Sequence, residues 1–274
     1  MKRELTNAQT IERSTIKKYR KELWNPFIAA VKRYELIQEN DKVAVCVSGG
    51  KDSWLLAVLM KHLQTHSEVP FELKFISMDP GYNKENRQLI EKNAKLFDIP
   101  LKIFETDIFS TVDKTEKNPC YLCARMRRGH LYSKAKELGC NKIALGHHMS
   151  DVIETTVLAM LYGSQLQAMP PKLHSTNFEG MELIRPLYCV NEEDIIKWRD
   201  YNNLNFLNCA CKFAKEKEED SKREEIKQLI KDLKETNPNI ENSIFSSIHN
   251  LHFDTFPAYR TKGEDHTFLE NYYT

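Results

Sequence analysis

The sequence predicts an α/β fold: an open, mainly parallel, twisted sheet with helices on both faces and helical extensions at the N- and C-terminal ends. Short β-rich runs alternate with longer stretches of helical spacing, which is the pattern of strand–helix–strand crossovers. At the first junction, "VAVCVSGGKDSWLLAVLM" (43–60), a buried strand passes into a helix through the adjacent glycines Gly49 and Gly50. The third observation is compositional. Hydrophobic residues at 41% and charged residues at 29% of 274 suit a folded chain with a substantial core.

In chain order, Ile16, Tyr19, Leu23, Phe27, Ile28 and Val31 recur at helical spacing within 11–38, an amphipathic leading helix expected to break near Pro26. Four strands follow in "KVAVCVS", "FELKFISM", "LKIFET" and "NKIALG", separated by helices over 51–66, 84–98 and 120–138. A helix from Asp151 to Leu161 leads to a loop holding "MPPKL" and a fifth strand at "MELIRPL". Beyond Asn191 the composition shifts to "NEEDIIKWRDYNN" and the charged "KEKEEDSKREEIKQLIKDLKE", whose apolar stripe is Ile226, Leu229 and Leu233. The expected organisation is a basic helical segment over 1–38, an α/β domain over 39–211 and a charged helical extension over 212–274.

No apolar run approaches the roughly 20 residues of a membrane span, and "MKRELTNAQT" lacks the apolar stretch of a secretory signal. The expected location is the cytoplasm, with no membrane partner. A net charge of +1 means that a polyanionic partner has to be held by local basic patches. Seven cysteines in a reducing compartment argue for metal or thiol chemistry over a disulfide framework.

The glycine corner carries the first chemistry. In open α/β sheets ligands bind beyond the carboxyl ends of the strands, and a helix N-terminus favours phosphate. Ser48 and Ser53 add hydroxyls and Lys51 a mobile charge, while the Walker spacing is absent. Asp79 and Gly146 follow the second and fourth strands and so fall at the same edge. "SGGKDS" resembles the pyrophosphate loop of the PP-loop ATPases, whose fold is that of the adenine nucleotide alpha-hydrolases. The resemblance implies that Ser48, Gly49, Gly50, Lys51, Asp52 and Ser53 bind ATP, with Asp52 orienting the Mg2+–pyrophosphate unit. Gly146, His147, Asp151 and Asp79 are further nucleotide-binding candidates.

Cys120 and Cys123 in "NPCYLCARMRRGHLY" share a helix face at i and i+3, and Arg125, Arg127 and Arg128 follow them. Cys209 and Cys211 form a later pair in "LNCACKF", whereas Cys46, Cys140 and Cys189 read as packing residues. By residue type alone the four thiols suit a redox pair, a structural zinc or an iron–sulfur cluster. "SGGKDS", C-x-x-C-A-R-x-R-R-G, "ALGHH", "MPPKL" and "IRPL", in that order over about residues 15–211, resemble the tRNA 2-thiocytidine biosynthesis family. The resemblance implies an ATP-dependent tRNA sulfurtransferase that adenylates the C2 oxygen of a cytidine at position 32 and replaces AMP by sulfur.

It further implies a [4Fe–4S] cluster on Cys120, Cys123 and Cys211, with Cys209 as the alternative third ligand, and catalytic roles for Asp52 and these cysteines. Arg125, Arg127 and Arg128 are the expected RNA contacts. The implied partners are tRNA and a sulfur donor such as a cysteine desulfurase or free sulfide, with a homodimer left open. Two departures stand out: Ser150 occupies the first acid of the family's G-H-H-x-D-D, and the later cysteines read C-x-C. The competing readings are a PP-loop ligase, a persulfide-using thiolase, and a nonenzymatic RNA- or nucleotide-binding protein with a structural zinc.

Overall fold

Alternate residues of the first strand enter two hydrophobic layers, so both faces of the sheet are covered. The computed structural model describes residues 5–112, 119–207, 218–270 and 272. β1 (Lys42–Cys46) sends Val43 and Val45 into one core and Ala44 and Cys46 into the other, the period of two that a pleated strand imposes. β2 (Glu72–Asp79), β3 (Leu101–Glu105), β4 (Lys142–Ala144), β5 (Lys172–His174) and β6 (Glu182–Ile184) complete a sheet of order β3-β2-β1-β4-β6-β5. Every pairing is parallel except that of β5 with β6. The strand order reverses between β1 and β4, the switch point at which such sheets open a crevice.

The leading segment comprises α1 (Asn7–Arg13), two wide π-type turns (Ser14–Lys18 and Arg20–Trp24) and α2 (Asn25–Arg33). The expected break near Pro26 is corrected: the backbone departs from helix at Tyr19. Pro26 sits in the first turn of α2, where its missing N–H costs nothing. Leu23, Phe27 and Ala30 are fully buried, so this basic segment helps to build the core.

α3 (Lys51–His66) is buried from Ser53 through Met60, enclosed on all sides in that stretch, which explains its nearly unbroken apolar run. α4 (Lys84–Leu96), a short α5 (Ile108–Val112) that the sequence did not signal, α6 (Pro119–Glu137), α7 (Met149–Gly163) and α8 (Glu192–Tyr201) follow. Tyr132 and Ala135 of α6 join the second core layer, opposite α3. "MPPKL", expected as loop, ends in strand: Lys172 and Leu173 pair with Ile184 and Leu183.

The chain divides into two compact units, Met1–Glu224 and Glu225–Thr274. α9 (Glu218–Thr236) crosses the boundary. Its buried positions are Ile226 and Ile230, while Leu229 and Leu233 are exposed, so the expected stripe is corrected to an i, i+4 pair. The second unit holds α10 (Ile240–Ser247) and an antiparallel hairpin of β7 (Ala258–Thr261) and β8 (Glu264–Thr267), where helix alone was expected. Among the described residues no helix is long and apolar enough to cross a membrane.

Candidate functional site

"SGGKDS" turns the corner from β1 into α3 at the switch point. Gly49 has φ +93°, and a side chain there would meet Ile90 and Leu207 at 3.1 Å, so two independent constraints demand glycine. The corner is tied by the Ser53 hydroxyl, which donates to the Gly50 carbonyl at 2.9 Å and accepts from the Ser48 N–H at 3.1 Å. The first turn of α3 has no side-chain cap. Its N–H groups and partial positive charge therefore face the crevice as an anion site. Gly146, just past β4, lets that chain approach: a side chain would lie 3.1 Å from the backbone of Asp52 and Ser53.

Two cavities flank the corner and share Asp52. The first, about 290 Å³, lies at the ends of β1, β2 and β4 and includes Val47, Ser48, Ser53, Tyr82, Arg127, Gly146, His147 and Asp151 in its lining. Its lining combines the apolar Val47, Met78, Leu131 and Leu145 with polar and charged side chains, as a nucleoside with phosphates requires. The second, about 540 Å³, includes Gly50, Lys51, Glu192, Arg199 and Leu207.

Asp52 Oδ1 is buried and accepts no hydrogen bond of good geometry, with Lys51 Nζ at 3.2 Å and His148 Nε2 at 3.7 Å. Burial raises the Asp52 pKa, opposed by His148 and Lys51. Lys51 Nζ lies 2.7 Å from Glu192 Oε1 and 3.2 Å from Asp52 Oδ2. Burial works against the Lys51 ammonium, but Asp52 and Glu192 outweigh it and its pKa is raised. His148 caps α7: its Nδ1 accepts the Asp151 N–H at 3.3 Å, and Asp151 Oδ2 accepts the His148 N–H at 3.0 Å. The His148 Nε2 lies 3.7 Å from Asp52 Oδ1. Burial pushes the neighbouring His147 down to about 4, and its Nδ1 has no partner.

The other expected site residues fall in different places. Asp79 sits at the end of β2 with both oxygens engaged: Oδ1 accepts the N–H groups of Gly81 and Tyr82, and Oδ2 accepts from Arg87 at 2.8 Å. Burial alone would raise its pKa, but these donors lower it, and its geometry is that of a turn residue. Ser150 is buried, and its hydroxyl accepts the Glu192 N–H at 3.2 Å. Cys120 and Cys123 lie in the first turns of α6, with Cys123 half-buried. Cys209 and Cys211 lie outside the described residues.

The chain reaches that later pair from Leu207, whose N–H donates to the Gly49 carbonyl at 3.0 Å. An aromatic stack of Trp54, Phe97, Trp198 and Phe206 fixes this approach, with centroid spacings of 5.2, 6.4 and 6.2 Å along it. Of the three arginines, Arg125 and Arg128 are exposed, whereas Arg127 lines the first cavity. Glu192 was missed from sequence because its contact with Lys51 spans 141 residues.

Comparison with known proteins adds a family to this geometry. Residues 14–230 match the model of the PP-loop domain. The chain is 38% identical over 228 residues to a tRNA-cytidine(32) 2-sulfurtransferase of Neisseria meningitidis serogroup C, covering 81% of this chain and 69% of the relative. It is 36% identical over 226 residues to the enzyme of that name from Syntrophotalea carbinolica, covering 81% and 86%. Among solved structures, the U34-tRNA thiolase NcsA from Methanococcus maripaludis with its [4Fe-4S] cluster shares the fold, with TM-score 0.66 and 21% identity over 87% of this chain and 81% of that one.

Proposed function

We propose a function from one premise: the chain belongs to the PP-loop family and, within it, to the tRNA-cytidine(32) 2-sulfurtransferases. The reaction is ATP-dependent thiolation of tRNA, with a cytidine at position 32 as the target base. The observation that carries this reading is the uncapped start of α3 beside the buried Asp52 carboxylate, at the switch point and within a cavity of nucleoside size. Asp52 Oδ1 has charged neighbours but accepts no hydrogen bond, so it keeps lone pairs for a cation that arrives with the ligand.

A cytosine carbonyl has a poor leaving oxygen, and adenylation converts it into part of a good one. The C2 oxygen attacks the α-phosphorus of ATP and pyrophosphate leaves, so the protein has to hold the terminal phosphates apart from the reacting base. Ser48, Gly49, Gly50, Lys51 and Ser53 suit that task through N–H, hydroxyl and ammonium donors. Asp52 would hold Mg2+, which supplies charge neutralisation to the departing pyrophosphate. The apolar side chains of the lining, among them Val47, Met78 and Leu145, would limit the access of water to the activated base.

The donor chemistry of the cysteines fits a [4Fe–4S] cluster. Cys120 and Cys123 stand three apart on α6, and Leu207 anchors the approach to Cys211, the preferred third ligand, against the glycine corner. When bound, the cluster supplies the sulfide that replaces AMP. Because C2 of a stacked base is hidden, the anticodon loop must offer the cytidine splayed out, and the exposed Arg125 and Arg128 are placed to meet its phosphates. The sulfur comes from a cysteine desulfurase or free sulfide in the cytoplasm, and a homodimer is the assembly to test.

The products of ATP test the reading. Incubation with tRNA and a sulfide source is expected to yield AMP and pyrophosphate in equal amounts. ADP and phosphate would reject it.

A further inference from the structure

Arg127 is the one lysine or arginine among the described residues that line the cavity at the ends of β1, β2 and β4. Two carboxylates, Asp52 and Asp151, share that lining. The loop's own cation is turned elsewhere: Lys51 lines the second cavity and is held by Glu192 at 2.7 Å. A triphosphate entering the first cavity therefore meets one side-chain cation. Arg127 also sits there incompletely satisfied. Its Nε is buried with no hydrogen-bond partner, and its guanidinium carbon is 5.7 Å from the centre of the Phe109 ring. Arg127 is half-buried, and a cation–aromatic contact does not replace the hydrogen bond its Nε–H lacks, so the position is one that an anion would complete.

Its neighbours behave differently. Arg125 and Arg128 are exposed to solvent on the same helix, as phosphate-backbone contacts need to be.

We propose that Arg127 is a nucleotide ligand and not an RNA contact: it binds the α-phosphate of ATP and keeps hold of that phosphate in the adenylated base until AMP leaves. This deepens the proposed function and rests on it. The terminal pyrophosphate belongs to the start of α3 and the serine hydroxyls of the corner, which leaves the α-phosphate as the group nearest the opposite wall. Arg127 stands four residues after Cys123 on α6, so the two share a helix face with Cβ atoms about 6 Å apart. The same turn would then present the leaving group and the sulfur ligand side by side. As sulfur bonds to C2, the C2–O bond breaks and its electron pair departs with the AMP oxygen. Charge therefore gathers on the phosphate, which a planar, two-pronged guanidinium is shaped to accept.

Isothermal titration of the full chain, purified anaerobically, with ATP, AMP and pyrophosphate tests this directly. Arg127→Gln is expected to weaken ATP and AMP by about tenfold or more while pyrophosphate changes by less than about twofold. Arg127→Lys should recover part of the loss. The affinity of Arg127→Gln for tRNA and its salt slope should match wild type, whereas an Arg125→Gln/Arg128→Gln double variant should flatten that slope and leave AMP unchanged. The thermal midpoint of Arg127→Gln should stay near wild type, because the buried Nε–H has no hydrogen bond to lose.

Wild-type AMP binding by Arg127→Gln would overturn the inference, as would a lowered midpoint with AMP binding intact, which marks a structural arginine. Failure of the wild-type chain to bind ATP at all would overturn the proposed function, and this inference with it.

Discussion

The two ends of the sheet both bury charge, and they treat it in opposite ways. At the N-terminal ends of β1, β4 and β6, Lys142 Nζ lies 2.8 Å from Asp41 and 3.1 Å from Glu182, and it donates to the Leu36 carbonyl at 3.0 Å. Asp41 in turn accepts from Asn141 at 2.8 Å and from the Gln38 N–H at 2.6 Å. Every charge there has its partners, with the Lys142 side chain only 5% exposed. At the C-terminal ends, Asp52 Oδ1, Arg127 Nε and His147 Nδ1 are buried without a hydrogen bond, although Lys51 Nζ lies 3.2 Å from Asp52 Oδ1. A satisfied network closes a structure; an unsatisfied one marks where a ligand completes it.

Substitution should separate the two ends cleanly. The largest effect is expected from Asp52→Ala, which should lower tRNA-dependent pyrophosphate release by roughly two to three orders of magnitude. The melting temperature should fall less than that of Lys142→Met, because Lys51 loses Asp52 but keeps Glu192 at 2.7 Å. Lys142→Met should do the reverse. Breaking a buried ion pair from one side costs about 3–5 kcal/mol, to be read from denaturant unfolding, while pyrophosphate release per folded molecule stays near wild type. A loss of stability from Asp52→Ala matching that of Lys142→Met would erase the distinction between the two ends.

The Lys51–Glu192 pair is intermediate, since it belongs to the site yet is satisfied. Glu192→Gln should shift the KM for ATP by only about two- to tenfold, because it removes one charged partner of a lysine that keeps Asp52. An unchanged KM would place Glu192 with the structural end.

The smallest effect concerns pH. His147 is held neutral, with its pKa lowered from 6.5 to about 4. The unfolded chain then binds the extra proton first, so this group's contribution is intact above pH 6.5 and is lost as pH falls toward 4. His147→Asn should flatten the dependence of stability on pH in that window. An unaltered slope would show that His147 titrates normally.

The order of strands and helices was legible because each junction is local, with alternation and glycines doing the signalling. β5 was not, since three residues after two prolines carry too little pattern, and their strand identity comes from pairing with β6. The hairpin at Ala258–Thr261 and Glu264–Thr267 was hidden in the same way, by polar strands without alternation. At the site, the glycine corner, Gly146 and His147 could be read because they follow strand ends. Glu192 could not, being brought to Lys51 by the tertiary fold, and neither could the division of the arginines, which depends on the rotation of α6 against the sheet. Ser150 makes the point in reverse: its departure from the family pattern looked like a missing acid, and it is joined to Glu192 by a backbone hydrogen bond.

Sulfur transfer to one cytidine in tRNA is the central claim, and nucleoside mass spectrometry tests it most directly. Unmodified tRNA incubated anaerobically with the protein, ATP and a sulfide source should acquire 2-thiocytidine, mapped to position 32 of the anticodon loop. The same tRNA without ATP should acquire none. Cytidine left unmodified in both reactions, or sulfur incorporated without ATP, would contradict the account.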